Sequence, residues 1–264
     1  MAFVRSNGIV LHYEASGHAD RPSLIFINSL GTDLRIWDKV VERLDGRYRI
    51  VRYDKRGHGL SEAPPPPYPL TDHVADLAGL LDHLGIQRTA VVGLSVGGQV
   101  AQGLAALHPE RVAALVLSDT AHKIGTRDGW DDRIDLVTRK GLGVLVERIM
   151  PLWFTAAFRR PDNPEYAGHV AMFTRTPIDG YVGTCASVRD ADLTESTRAL
   201  MVPTLCIVGE QDGSTPPDLV RSMASLIRNS EFRVIPDAGH IPCVEQPEAV
   251  AGLVSGFLRG LHYE

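Results

Sequence analysis

Cysteine is scarce in this 264-residue chain. Cys185, Cys206 and Cys243 are odd in number and far apart, which excludes a disulfide framework and a zinc-ligand pair and makes a reducing cytoplasm the expected compartment. No apolar run reaches the roughly 18 residues that a membrane span needs, and Met1 to Val10 holds no cationic segment leading into an apolar stretch. Neither membrane insertion nor export is therefore expected. Positive charge is in deficit: 27 Lys and Arg against 32 Asp and Glu leave a net −5. That argues against a protein tracking nucleic-acid phosphates or a basic membrane-surface protein, and leaves small uncharged or anionic ligands open. Also missing are an internal repeat, a G-x-G-x-x-G following a strand pattern and a P-loop lysine motif, so a dehydrogenase or nucleotide enzyme is poorly supported. What is present, 44% hydrophobic and 22% charged residues, describes a compact soluble protein of about two domains, or one α/β domain with an insertion.

Short runs rich in Val, Ile and Leu alternate with helical patterns, the mark of βα units building a mostly parallel sheet with helices on both faces. The runs Leu24 to Asn28, Tyr48 to Tyr53, Thr89 to Gly93, Val112 to Ser118, Thr204 to Gly209 and Glu231 to Ile235 are candidate central strands, buried on both faces. Ahead of them, Phe3 to Arg5 and Ile9 to Ala15 flank Asn7-Gly8, which suits a tight hairpin at an antiparallel edge. Val74, Leu77, Leu81 and Leu84 fall at helical spacing, with Thr71 placed to cap the helix and Gly85 to end it. Pro216 and Pro247 suit the first turns of later helices. Between His122 and Arg198 the strand rhythm stops, charges balance at eleven of each sign, and two of the three tryptophans, Trp130 and Trp153, occur. The expected organisation is a core of residues 1–121 and 199–264 with a helical cap inserted at 122–198. The proline run Pro64 to Pro67 reads as a stiff surface loop.

Gly93-Leu94-Ser95-Val96-Gly97-Gly98 lies between a strand run and a helical stretch. There G-x-S-x-G becomes a nucleophile elbow: a tight turn exposes the Ser95 hydroxyl and aims the Val96 N–H at a developing oxyanion. A serine hydroxyl is a poor nucleophile at neutral pH, so a histidine base and an orienting carboxylate should follow in the order Ser, Asp, His. His240 sits in Asp237-Ala238-Gly239-His240 just after the last strand run, whereas His73, His83, His108 and His262 read as surface residues. Asp212 directly follows the run Thr204 to Val208 and is preferred as the acid. Asp119, after the strand ending near Ser118, is the competitor, while Glu210 and Asp237 read as solvated or turn-forming. The second oxyanion donor is expected from the Leu30 N–H, in the loop Asn28-Ser29-Leu30-Gly31-Thr32-Asp33.

Together the elbow, the Asp212 and His240 contexts and the loop Asp54-Lys55-Arg56-Gly57-His58-Gly59-Leu60-Ser61 resemble the α/β-hydrolases across nearly the whole chain. More narrowly, Asn28 to Asp33 with Trp37-Asp38, the segment Lys123-Ile124-Gly125 with Trp130 and Arg133, and Trp153-Phe154-Thr155 resemble the 3-oxoadipate enol-lactonases. Most related hydrolases carry His-Gly where Asn28-Ser29 stands here, and that departure favours the lactonase subgroup. The resemblance implies opening of an enol-lactone bearing an acetate side chain, without metal or organic cofactor, through an acyl-enzyme. An anionic lactone or ester needs a cation in the pocket. Arg133, three residues from Trp130 and so on the same helical face, is the leading candidate, with Trp130 and Trp153 as walls. The same triad serves carboxylesterases, carbon–carbon bond hydrolases of aromatic breakdown and cofactor-free perhydrolases, and slow-turnover ligand receptors share the fold.

Overall fold

The computed structural model describes residues 1–44 and 46–263. Eight strands form one sheet: β1 (Ala2–Ser6), β2 (Ile9–Ser16), β3 (Ser23–Ile27), β4 (Arg49–Tyr53), β5 (Thr89–Leu94), β6 (Val112–Ser118), β7 (Thr204–Gly209) and β8 (Glu231–Ile235). Their spatial order is β1-β2-β4-β3-β5-β6-β7-β8. β1 and β2 form the expected antiparallel hairpin, turning at Asn7 and Gly8 with φ of 45° and 83°. β2 also meets β4 antiparallel, and every later pairing is parallel. Because side chains alternate across a strand, the β-branched runs feed two separate cores. Leu24, Phe26, Val92, Val116 and Ile207 point to one face and Ile25, Ile27, Val91, Leu115 and Val208 to the other.

The helices are α1 (Asp38–Leu44), α2 (Leu70–His83), α3 (Val96–Leu107), α4 (Arg127–Lys140), α5 (Val146–Trp153), α6 (Pro164–Thr174), α7 (Ile178–Asp190), α8 (Thr194–Arg198), α9 (Pro217–Leu226), α10 (Pro242–Glu245) and α11 (Pro247–Gly260). Val74, Leu77, Leu80 and Leu81 of α2, Val100 and Leu104 of α3 and Val220 and Met223 of α9 cover one face. Val40 of α1 and Val250, Val254 and Leu258 of α11 cover the other. Between β6 and β7 the described residues contain helices α4 to α8 and no strand. This insert packs against the core where Gly180 of α7 meets Gly57: a Cβ at Gly180 would lie 1.9 Å from the Gly57 carbonyl oxygen.

Four local expectations are corrected. α2 begins at Leu70 behind Pro69, so Thr71 lies inside its first turn and does not cap it. Pro216 stands at the N-cap of α9, and Pro217 takes the first helical position. His73 is 1% exposed rather than on the surface, because it falls on the buried face of α2 with Val74 and Leu77, and its ring meets that of Tyr68 edge-on. β8 is an edge strand with Glu231, Arg233 and Val234 exposed, since no later strand remains to cover it.

The strand order reverses at β3. The chain passes from β3 to β4 on one side and then crosses back to place β5 on the other, so the carboxyl ends of β3 and β5 lie side by side, with Ile27 in register with Gly93. Such a switch point opens a crevice beyond the sheet edge where ligands bind. Here it brings the loop of residues 28–33 next to Ser95.

Candidate active site

Ser95 joins β5 to α3 with φ 57° and ψ −121°, a conformation costing a non-glycine residue about 1–3 kcal/mol. The surroundings hold it there. Its N–H donates to the Ser118 carbonyl (2.9 Å), and its own carbonyl accepts from the Gly98 N–H (2.8 Å) and the Thr120 hydroxyl (2.6 Å). The turn is closed too tightly for side chains on either flank: a Cβ at Gly93 would meet the Gly97 carbonyl oxygen at 2.3 Å, and one at Gly97 the Ile27 carbonyl oxygen at 2.6 Å. Ser95 Oγ has no hydrogen-bond partner among the described residues, and Ser95 lines a pocket with His240.

His240 and Asp212 follow β8 and β7, and backbone bonds from Gln211 N–H to the Ala238 carbonyl and Glu210 N–H to the Ile235 carbonyl tie the two loops together. The His240 Nδ1–H donates to both Asp212 carboxylate oxygens, at 3.0 and 2.9 Å, and both residues are buried. An ionised carboxylate only accepts, so the proton belongs on Nδ1 and Nε2 is left as the basic nitrogen. Asp212 also accepts from the Ser214 N–H (2.8 Å), the Thr215 N–H (3.0 Å) and the Thr215 hydroxyl (2.6 Å). Burial alone would raise its pKa, but His240 and these donors outweigh it and hold the carboxyl below the usual range.

The loop at residues 28–33 is braced from beneath. Lys55 Nζ donates to the Ser29 carbonyl at 2.5 Å, and the Gly31 N–H donates to His58 Nε2 at 2.9 Å, while His58 Nδ1–H donates to the Arg56 carbonyl at 3.1 Å. Burial, with Lys55 nearby, holds His58 well below its usual pKa, so the ring stays neutral and can accept. Burial likewise holds the Lys55 ammonium well below its ordinary value. The Asn28 side chain donates to the Thr32 carbonyl, closing the loop on itself. With Gly31 so anchored, the neighbouring Leu30 N–H has no partner among the described residues, and neither has the Val96 N–H at the start of α3. Two unpaired donors beside a serine hydroxyl suit an oxyanion.

Above Ser95 lies a pocket of about 310 Å³ whose walls include Leu30, Trp130, Arg133, Arg148, Trp153 and His240. No Asp or Glu among the described residues lines it. The Arg133 guanidinium stacks over Trp130, 4.5 Å from the ring centroid, and Trp130 Nε1 donates to the Ile124 carbonyl at 2.7 Å. The Trp153 ring centroid is 6.5 Å from that of His240. Neither Arg133 nor the exposed Arg148 has an ion-pair partner among the described residues. A larger cavity of about 740 Å³, between the start of α1 and α6, includes neither Ser95 nor His240 and lies outside this chemistry.

Residues 22–247 match the alpha/beta hydrolase fold family. The chain belongs to that family. It is 34% identical to 3-oxoadipate enol-lactonase 2 of Acinetobacter baylyi over 95% of this chain and 94% of that one. The enol-lactonase of Burkholderia xenovorans superposes with a TM-score of 0.95 at 35% identity, over 98% of this chain and all of the other. A thermophilic esterase from Thermogutta terrifontis, solved with malate bound, gives a TM-score of 0.93 at 30% identity, over 99% of this chain and all of the other. The protein is thus a hydrolase of this family, and no described helix is long and apolar enough to cross a membrane.

Within this α/β-hydrolase, Asp119 does not bond His240. It accepts from the Gly209 N–H (2.8 Å) and the Ser118 hydroxyl (2.6 Å), and one ligand-type atom each of Asp119, Asp212 and His240 lie within 4.8 Å of one another. These are the only described side chains clustered closely enough to chelate an ion, and Asp212 and His240 already bond each other there.

Sequence reading alone assigned no role to Lys55, His58, Arg148 or Glu245. Glu245 accepts from the Gly239 N–H with one oxygen (2.8 Å) and from the Thr155 N–H and hydroxyl with the other (3.0 and 2.7 Å), fastening the histidine loop to the segment after Trp153. Its signal was a carboxylate a few residues beyond His240 and ahead of Pro247. Lys55 and His58 were visible inside a glycine-rich loop, but only burial makes them braces.

Proposed function

We propose that this hydrolase opens 3-oxoadipate enol-lactone to 3-oxoadipate through an acyl-enzyme. The observation that carries the reading is a pocket over Ser95 and His240 that, among the described residues, holds two arginines without an ion-pair partner and no carboxylate, suited to a small anionic lactone. Ser95 Oγ attacks the ring carbonyl while His240 Nε2 takes its proton, and the Leu30 and Val96 N–H groups receive the oxyanion. The ring C–O bond breaks and the departing enolate, a better leaving group than an ordinary alkoxide and still tethered in the acyl-enzyme, takes the proton from His240 Nε2, which restores the neutral base. His240 then activates water, which cleaves the acyl bond, while Asp212 steadies the imidazolium. Arg133 binds the acetate carboxylate, and Trp130 and Trp153 wall the ring. No metal or organic cofactor enters the reaction. The insert at 122–198 acts as the specificity cap, and the protein works in the cytoplasm.

Likeness to the malate-bound esterase supports a second reading, a carboxylesterase with a preference for acidic esters. Steady-state hydrolysis of the enol-lactone beside a neutral p-nitrophenyl ester, with wild type and Ser95→Ala, separates the two. High kcat/KM on the lactone that collapses in the variant supports the lactonase. Turnover of the ester alone leaves the esterase, and labelling by an organophosphate without turnover of either points to a receptor.

A further inference from the structure

The residues at the end of β6 reach both halves of the site. Ser118 and Thr120 hold the Ser95 backbone from one side, and the Asp119 N–H donates to the Ile207 carbonyl of β7 on the other (2.9 Å). Asp119 itself sits at φ 48°, fully buried, with its carboxyl turned into the Asp212 and His240 cluster. The titratable groups facing it are Asp212, His240 and Cys243 of α10; no Lys or Arg pairs with it among the described residues. Two carboxyls this close in a buried site repel as anions, which favours keeping one of them protonated. Asp212 receives three donors from Ser214 and Thr215 besides His240, whereas Asp119 receives two, so the charge belongs on Asp212 and the proton on Asp119.

We propose that Asp119 is a positioning residue: a buried neutral acid that directs its proton to the Asp212 carboxylate and so fixes the face Asp212 presents to His240. Burial and the neighbouring Asp212 both push the Asp119 carboxyl well above the usual range, in agreement with this placement of the proton. The role rests on the proposed Ser95, His240 and Asp212 triad. Turnover persisting in Ser95→Ala would overturn that triad whatever Asp119 does.

The test compares Asp119→Ala and Asp119→Asn in kinetics and thermal unfolding across pH. Truncation should lower kcat by about 10- to 100-fold with little change in KM, because a displaced Asp212 misorients the base. Asparagine keeps both a donor for Asp212 and an acceptor for the Gly209 N–H, so it should rescue most of that loss and leave the acid limb of the kcat/KM profile in place. A neutral buried acid destabilises the fold at any pH where the unfolded chain ionises. Asp119→Asn should therefore melt above wild type at neutral pH, with the gap closing as pH falls below the ordinary carboxylate range.

Three results overturn the proposal. One is wild-type kcat in Asp119→Ala. A second is an acid limb moved down by about one unit or more in Asp119→Asn, as loss of an anion beside His240 would cause. The third is an Asp119→Asn variant that melts below wild type, or fails to fold, at neutral pH.

Discussion

Replacing Arg133 by Gln tests how the pocket would recognise its substrate. The guanidinium is pre-set by stacking on Trp130 at 4.5 Å, and among the described residues its buried Nε has no hydrogen-bond partner and no carboxylate in the pocket competes for it. A substrate carboxylate docking there would form a charge-assisted hydrogen bond worth about 1.5–3 kcal/mol, which converts to a rise in KM of roughly 10- to 150-fold at 25 °C. kcat should change little, because the contact is as strong in the ground state as in the transition state. Arg148 is exposed, so Arg148→Gln should cost about 1 kcal/mol or less and lose that effect in high salt. The assay is steady-state kinetics on the anionic lactone and a neutral ester side by side. Equal losses on both substrates in Arg133→Gln would refute the recognition argument and make Arg133 a packing residue.

Asp212→Asn should fold yet lower kcat by about 10³- to 10⁴-fold, because an amide no longer selects the Nδ1–H tautomer of His240. The stability Asp212 contributes is full above the ordinary carboxylate pKa and vanishes as pH falls through its lowered folded value, so the wild-type advantage in Tm should close at acid pH. Lys55→Met, which removes the brace on the Ser29 carbonyl, should reduce kcat by up to about 10²-fold with KM little changed, since it disturbs the loop that carries one proposed oxyanion donor; unchanged kcat would show that the loop holds without it. Gly180→Ala places a Cβ 1.9 Å from the Gly57 carbonyl and should cost about 1–3 kcal/mol, roughly 3–10 °C in Tm by calorimetry.

The amino-acid sequence by itself was enough for the fold. β-branched runs spaced by helical patterns specify a parallel sheet with two covered faces, because a strand buried on both sides must be apolar throughout. It also singled out Ser95, since G-x-S-x-G between a strand run and a helical stretch has a local steric meaning: Gly93 and Gly97 stand where the turn has no room for side chains. Local pattern failed wherever burial depends on a distant partner. His73 lies in an amphipathic helix whose orientation only the sheet decides, and β8 reads like a central strand because nothing in its own residues shows that it is last in the order.

Two acids were both plausible by position, and only the tertiary structure shows which of them bonds His240. Asp119 and Asp212 each follow a strand, but only the three-dimensional arrangement puts Asp212 at 2.9 Å from the His240 ring nitrogen and leaves Asp119 bonded to Gly209 and Ser118. The same holds for Lys55 and His58, which become loop braces because folding buries them under residues 28–33, and for Arg148, which joins Arg133 in one pocket from a different helix. Backbone pattern is a property of neighbours in the chain. Charge placement depends on neighbours in space, which the crossover between β3 and β5 brings together.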